Sequence, residues 1–174
     1  LFSKDKTKII ASAQKTSYLI PNTVTVIGSY AFIRNQLTNI TIPDSVTQIE
    51  MFAFKENKLK SINIPNSITK IDRGVFADNE LTEITIPDNI TTIGMQAFTR
   101  NKLTNITIPD SVTTIEPDAF SYNPLETIEV SALNPNYCSE DNVLFSKDKT
   151  KIIASAQKTS YVIPDGVTDI GAGA

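Results

Sequence analysis

The residues able to do chemistry in this chain are few, and four of them share one short stretch, CSED, at 138–141. The chain has no histidine and a single cysteine. Without an imidazole, neither Ser139 nor Cys138 has the base that a serine or cysteine nucleophile needs. Glu140 and Asp141 would serve as acid and base only where their surroundings drive their pKa values apart, and the flanking polar letters read as a solvated loop. Ser139 to Asn142 offers oxygen ligands without the spacing of a calcium loop, and one Cys with no His rules out a soft-metal cluster. No glycine-rich phosphate cradle or dinucleotide fingerprint appears. The sequence therefore predicts no catalytic, metal or cofactor-binding residue, and no cofactor.

Charge and composition narrow the partners. Sixteen basic against nineteen acidic residues give a net charge of −3, with the lysines and arginines scattered, which is a poor match to a phosphate backbone. Nucleic acid is excluded. No stretch is apolar for long enough to cross a bilayer, so direct membrane insertion is excluded as well. With 40% hydrophobic residues the chain can still build a core.

That core is written as a repeat. Pro21, Pro43, Pro65, Pro87 and Pro109 stand 22 residues apart, and so do Phe32, Phe54, Phe76, Phe98 and Phe120. Ile27, Ile49, Ile71, Ile93 and Ile115 keep the same step, as do Asn35, Asn57, Asn79, Asn101 and Asn123. Four full units run 37–58, 59–80, 81–102 and 103–124. Within a unit, Ile40 and Ile42 flank an outward position in the alternation of a short strand, which the following proline stops. Val46 and Ile49 predict a second extended piece, and Phe54 anchors a tight turn. One unit is too small to fold alone, so the coils must stack into a solenoid. In such a stack each asparagine is expected to pair with backbone groups left over at its turn and with its own copies in adjacent coils.

The 22-residue step gives way after Val130. Residues 1–18, LFSKDKTKIIASAQKTSY, return unchanged at 144–161, and VLFS and KIIAS around KDKT read as a β-hairpin. The organisation expected is a hairpin insert at 1–18, repeat coils at 19–130, a linker with the second hairpin at 131–161, and the start of another block at 162–174. The chain thus reads as a window onto a longer array of period 143, cut in mid-pattern, with the final AGA as truncation or added sequence.

The pattern N-x-L-T-x-I-x-I-P-x-x-[VI]-T-x-I followed by A-F-x-x-N, carried in full from Asn35 to Phe54, resembles the BspA-like leucine-rich repeats of bacterial surface proteins. NPNYCSEDNVLFSKDKTKII resembles the insert that such proteins place between blocks of coils. Departures are a unit one residue shorter than the commoner one, asparagine where a cysteine is usual, Val75 before Phe76, and Pro117 in the column of Ser29, Met51, Arg73 and Met95. The resemblance implies a repeat solenoid of leucine-rich-repeat type, a right-handed superhelix of mainly short parallel β-strands with tight or 3-10 turns, plus β-hairpin inserts. It also implies a cell-surface or secreted location and adhesion to host matrix or neighbouring cells.

Two surfaces are candidates for that binding. The outward strand positions Asn39 and Thr41, Ser61 and Asn63, Glu83 and Thr85, Asn105 and Thr107, and Thr127 and Glu129 predict one continuous polar sheet. The plain alternative is a solvated sheet rich in β-favouring threonine. Tyr30, Met51 and Phe52 predict an apolar patch off that face. The expected partner is a protein or extracellular-matrix ligand, and the alternative role is a structural spacer stalk that projects another domain. Since the chain begins and ends within the same interrupted element, end-to-end self-association is a further possibility. The sequons at Asn39, Asn89 and Asn105 are by-products of the repeated letters.

Overall fold

The computed structural model describes residues 1–174 as a β-solenoid of parallel strands without a helix. Its strands are β1 (Lys8–Ile9), β2 (Ser17–Leu19), β3 (Val26–Ile27), β4 (Asn39–Thr41), β5 (Gln48–Ile49), β6 (Lys70–Ile71) and β7 (Thr92–Ile93). They continue as β8 (Asn105–Ile108), β9 (Thr114–Ile115), β10 (Thr127–Val130), β11 (Tyr137–Glu140), β12 (Val143–Ser146), β13 (Lys151–Ser155) and β14 (Asp169–Ile170).

Each coil is built from its letters in order. Leu37, Ile40 and Ile42 point inward and are buried, while Asn39 and Thr41 between them are exposed. Proline then turns the chain: its carbonyl accepts the N–H three residues on, as Pro43 does from Val46 at 3.0 Å and Pro65 from Ile68 at 3.1 Å. The second extended piece pairs in parallel with its copies one period away. Ile27 faces Ile49 in the β1–β3–β5 sheet, and Ile71, Ile93 and Ile115 face one another in β6–β7–β9. Beyond it the backbone enters the left-handed region twice per coil, at Tyr30 and Arg34, Phe52 and Glu56, Gly74 and Asp78, Gln96 and Arg100, and Asp118 and Tyr122. Outside glycine each such residue costs about 1 kcal/mol.

Those turns are held by the next coil. The N–H groups of Phe52, Phe54 and Glu56 donate to the carbonyls of Arg73, Val75 and Ala77 at 2.9–3.0 Å, and the pattern repeats along the stack. The phenylalanines stand in single file, with ring centroids 5.2–5.8 Å apart and planes within 16° of parallel. Full burial of each ring is worth about 1.5–3 kcal/mol, which more than offsets one left-handed residue.

The asparagine column differs from expectation in one respect. Asn79 is buried, its Nδ2 donates to Phe54 O at 2.9 Å and Phe76 O at 3.2 Å, and its Oδ1 accepts Leu59 N–H at 3.1 Å. Asn57, Asn101 and Asn123 repeat the arrangement. No asparagine of the column bonds another. Leftover main-chain groups of its own and the preceding coil use both ends of each amide, leaving nothing for a side-chain ladder.

The polar face also departs from a continuous sheet. β2 pairs with β4 and β8 with β10, but residues 61–64 and 83–86 are extended without forming paired strands. The lapses coincide with wider ring spacing. Pairing on this face is kept where Phe32 and Phe54 are 5.2 Å apart and lapses where the spacing is 5.6–5.8 Å, above the ~4.8 Å of a ladder. At the widest step, Phe54 to Phe76 at 5.8 Å, the second ladder is interrupted too, between β5 and β6.

Among the side chains that join the insert to this frame, two continue the inward columns. Asn134 is buried and donates to Pro109 O at 2.7 Å and Val112 O at 3.0 Å. Tyr137 enters the core, and its hydroxyl accepts Ile115 N–H at 2.8 Å, the place a following coil's carbonyl would fill. Burial raises the Tyr137 pKa. β11, β12 and β13 then form an antiparallel meander, and β14 adds in parallel. The predicted hairpin is β12–β13. Its side-chain staple, Asp148 accepting from Ser146 Oγ and Thr150 N–H, recurs at Asp5 with Ser3 and Thr7.

Two predictions follow from these contacts. Asn79→Ala leaves the buried Leu59 N–H unpartnered and takes one of two donors from Phe54 O and Phe76 O, and should cost about 2–3 kcal/mol in urea unfolding, whereas the exposed Thr85→Ala should stay within about 0.5 kcal/mol. Bonds from Ser3 Oγ, Thr7 N–H and Thr7 Oγ1 hold the Asp5 carboxyl at about 2. Its contribution to stability is therefore complete above its unfolded value near 4 and is lost as pH falls toward 2. An NMR titration should place its midpoint near 2, and Ser3→Ala with Thr7→Ala should return it to the ordinary range.

Candidate binding faces

The stretch that held the chain's reactive letters is structural. Ser139 and Glu140 belong to β11 rather than to a free loop, and Asp141 and Asn142, both with positive φ, form the two-residue turn into β12. Such a turn requires positive φ at both central residues, which Asp and Asn tolerate better than most. Lys149 Nζ binds Glu140 at 2.6 Å and Lys158 Nζ binds Asp141 at 2.8 Å, so the two carboxylates are separately neutralised. Cys138 packs beside Val143, Phe145 and Ile152. No group of three or more His, Cys, Asp or Glu side chains is placed to hold a metal ion, and no helix is long and apolar enough to cross a membrane.

All ten strand-face residues are exposed: Asn39, Thr41, Ser61, Asn63, Glu83, Thr85, Asn105, Thr107, Thr127 and Glu129. They alternate with the inward isoleucines and repeat from coil to coil, which makes one face in exposure though not in hydrogen bonding. Thr127 Oγ1 donates to Asn105 Oδ1 at 2.6 Å across β8 and β10. In the central coils Ser61, Asn63, Glu83 and Thr85 ride on backbone that neighbouring coils leave unpaired. Their main-chain groups are open to water or to a ligand.

The three apolar residues meet as expected. The Tyr30 and Phe52 rings stack at 5.3 Å, and Tyr30 N–H donates to Met51 O. Tyr30 is 48% and Met51 43% exposed, whereas Phe52 is half-buried. Phe52 lies flat over Gly74, where a Cβ would come within 2.4 Å of the ring, and Lys55 and Arg73 approach its faces. The patch is thus largely spent on packing between coils.

A third surface has no counterpart in the sequence reading. On the turn edge the two left-handed positions of each coil form parallel walls, and a groove of about 480 Å³ runs between them. Its lining takes Phe52, Gln96 and Asp118 from the first left-handed column, Glu56, Asp78, Arg100 and Tyr122 from the second, and Lys55, Ala77 and Thr99 from the position before the second. Arg34 bonds Glu56 at 2.8 Å and holds its carboxyl below the usual range. Lys55 and Arg100 reach Asp78 only at 3.5 and 3.9 Å. The signal was present as a column one residue before each asparagine: Arg34, Glu56, Asp78, Arg100, Tyr122. Its members share no chemistry, so periodicity in residue type passes over them.

Comparison with known proteins agrees with this architecture. The BspA type leucine rich repeat region family matches residues 10–127 in six copies. A leucine-rich repeat protein from Eubacterium ventriosum superposes with a TM-score of 0.82 at 31% identity, over 90% of this chain and 44% of its own. The pneumococcal vaccine antigen PcpA gives 0.72 at 25% identity, over 94% and 54%. A leucine rich cell surface protein from Faecalibacterium prausnitzii gives 0.71 at 33% identity, over 87% and 49%. The chain therefore spans about half the length of these structures. A search of curated proteins finds no match. Six matched copies across most of the coils, on a stack whose phenylalanines and asparagines recur with the same period, place the chain in the BspA type leucine-rich repeat family.

Proposed function

We propose that the chain is a non-enzymatic protein-interaction module of a bacterial cell-surface protein, adhering to host matrix or neighbouring cells through its strand face. In this reading residues 19–130 are the binding coils and 131–161 the spacer insert between blocks. The observation that carries it is the row of ten exposed polar side chains, repeated by coils too regular to need them for packing. Regular spacing lets many weak contacts add over one extended ligand. The naming of the Faecalibacterium prausnitzii relative as a cell surface protein supports the location.

The test is adherence of the purified chain to immobilised fibronectin and collagen and to cultured cells. Replacing Glu83, Asn105 and Glu129 together with arginine should lower binding at least about tenfold with folding intact, since exposed substitutions shift stability by only about 0.5 kcal/mol. Unchanged adherence would exclude this face.

A further inference from the structure

We propose that the turn-edge groove between Phe52 and Tyr122 binds a neutral oligosaccharide. The groove lies along the solenoid axis, and its repeat is the coil spacing, 5.6–5.8 Å between successive rings over this region. That distance is close to the length of one pyranose unit in an extended chain, so successive sugars would meet successive coils in similar surroundings.

The lining has the chemistry that vicinal hydroxyls require. Glu56 and Asp78 present carboxylate oxygens, Gln96 an amide, and Arg100 a planar guanidinium fork, all flat groups that engage two adjacent hydroxyls at once. The Gln96 side chain makes no hydrogen bond within the protein, and the ion pairs of Lys55 and Arg100 with Asp78 are loose enough to open at little cost. Lys55 and Arg100 face Glu56, Asp78 and Asp118, and Arg34 beside the groove pairs with Glu56, so the local charges balance and do not select a strongly charged ligand. Tyr122 is 75% exposed at one end, with Arg100 over its ring at 4.9 Å, so most of its aromatic surface stays open. Such a ring offers an apolar plate to the C–H face of a sugar.

A peptide suits the groove less well. Among the lining residues, the N–H groups of Phe52, Glu56, Asp78, Gln96 and Arg100 donate to the next coil and those of Lys55, Ala77 and Thr99 to carbonyls three residues back, so these offer no open edge to an added strand. Only Phe52, Ala77 and Tyr122 are apolar among the lining residues, too few to seat side-chain anchors. The presence of Gln96 at a left-handed position also fits a surface role. Gly74 in the same column shows that the turn itself accepts glycine.

The experiment is saturation-transfer NMR and calorimetry of the whole chain with cellotetraose, maltotetraose and laminaritetraose. At least one should bind with a dissociation constant on the order of 1 mM or tighter. Tyr122→Ala and Gln96→Ala, each checked for an unchanged melting temperature, should weaken it about tenfold or more, equivalent to about 1.4 kcal/mol. The strand-face triple variant should bind the same sugar normally, which separates this site from the adhesive face. Absence of saturable binding by all three sugars, or binding that Tyr122→Ala leaves unchanged, overturns the proposal.

Discussion

Every coil is chemically unfinished until the next one is laid down. Its left-handed turns direct N–H groups away from the coil itself, and their acceptors are carbonyls one period further along. The buried asparagine completes the account by bonding the remaining carbonyls on either side of the joint. Since an unpartnered buried polar group costs about 1–3 kcal/mol, the turns are affordable only in a stack. The phenylalanine file supplies the apolar half of the same bond between neighbours, and the strands follow from both.

The polar face is the less regular side of the stack. The turn bonds recur at every step, whereas pairing on the strand edge does not. Where the rings sit 5.2 Å apart the strands pair; where they open to 5.8 Å both ladders are broken. A solenoid with its strands in command would show the reverse, an unbroken sheet with irregular turns. The candidate adhesive surface therefore lies on the more loosely joined side of the stack and the sugar groove on the more tightly joined side.

Much of this was legible in the letters. Proline, isoleucine, phenylalanine and asparagine each recur with one step, and each has a single physical use at its place, so the solenoid, the inward columns and the exposed strand positions could be read directly. The acceptors of the asparagines could not, because they depend on turns whose left-handed residues are Arg34, Phe52, Glu56 and Tyr122 rather than glycine. Nothing in those letters announces positive φ. The lapses in the sheet coincide with a few tenths of an ångström between stacked rings, below what residue type encodes. The insert was legible as a hairpin, whereas the entry of Asn134 and Tyr137 into the core was masked by their departure from the aliphatic column they continue.

The one-way hydrogen bonding of the turn edge also gives that edge an electrical direction. From Tyr30 to Asp118 each of these N–H groups points toward the C-terminal end and each accepting C=O points back, so the peptide dipoles of that edge add. Elsewhere in the coil the sense is opposite, as where Lys58 N–H donates to Leu37 O and Glu80 N–H to Leu59 O. Polarity is therefore a property of one flank of the stack, set against an opposed flank across the core.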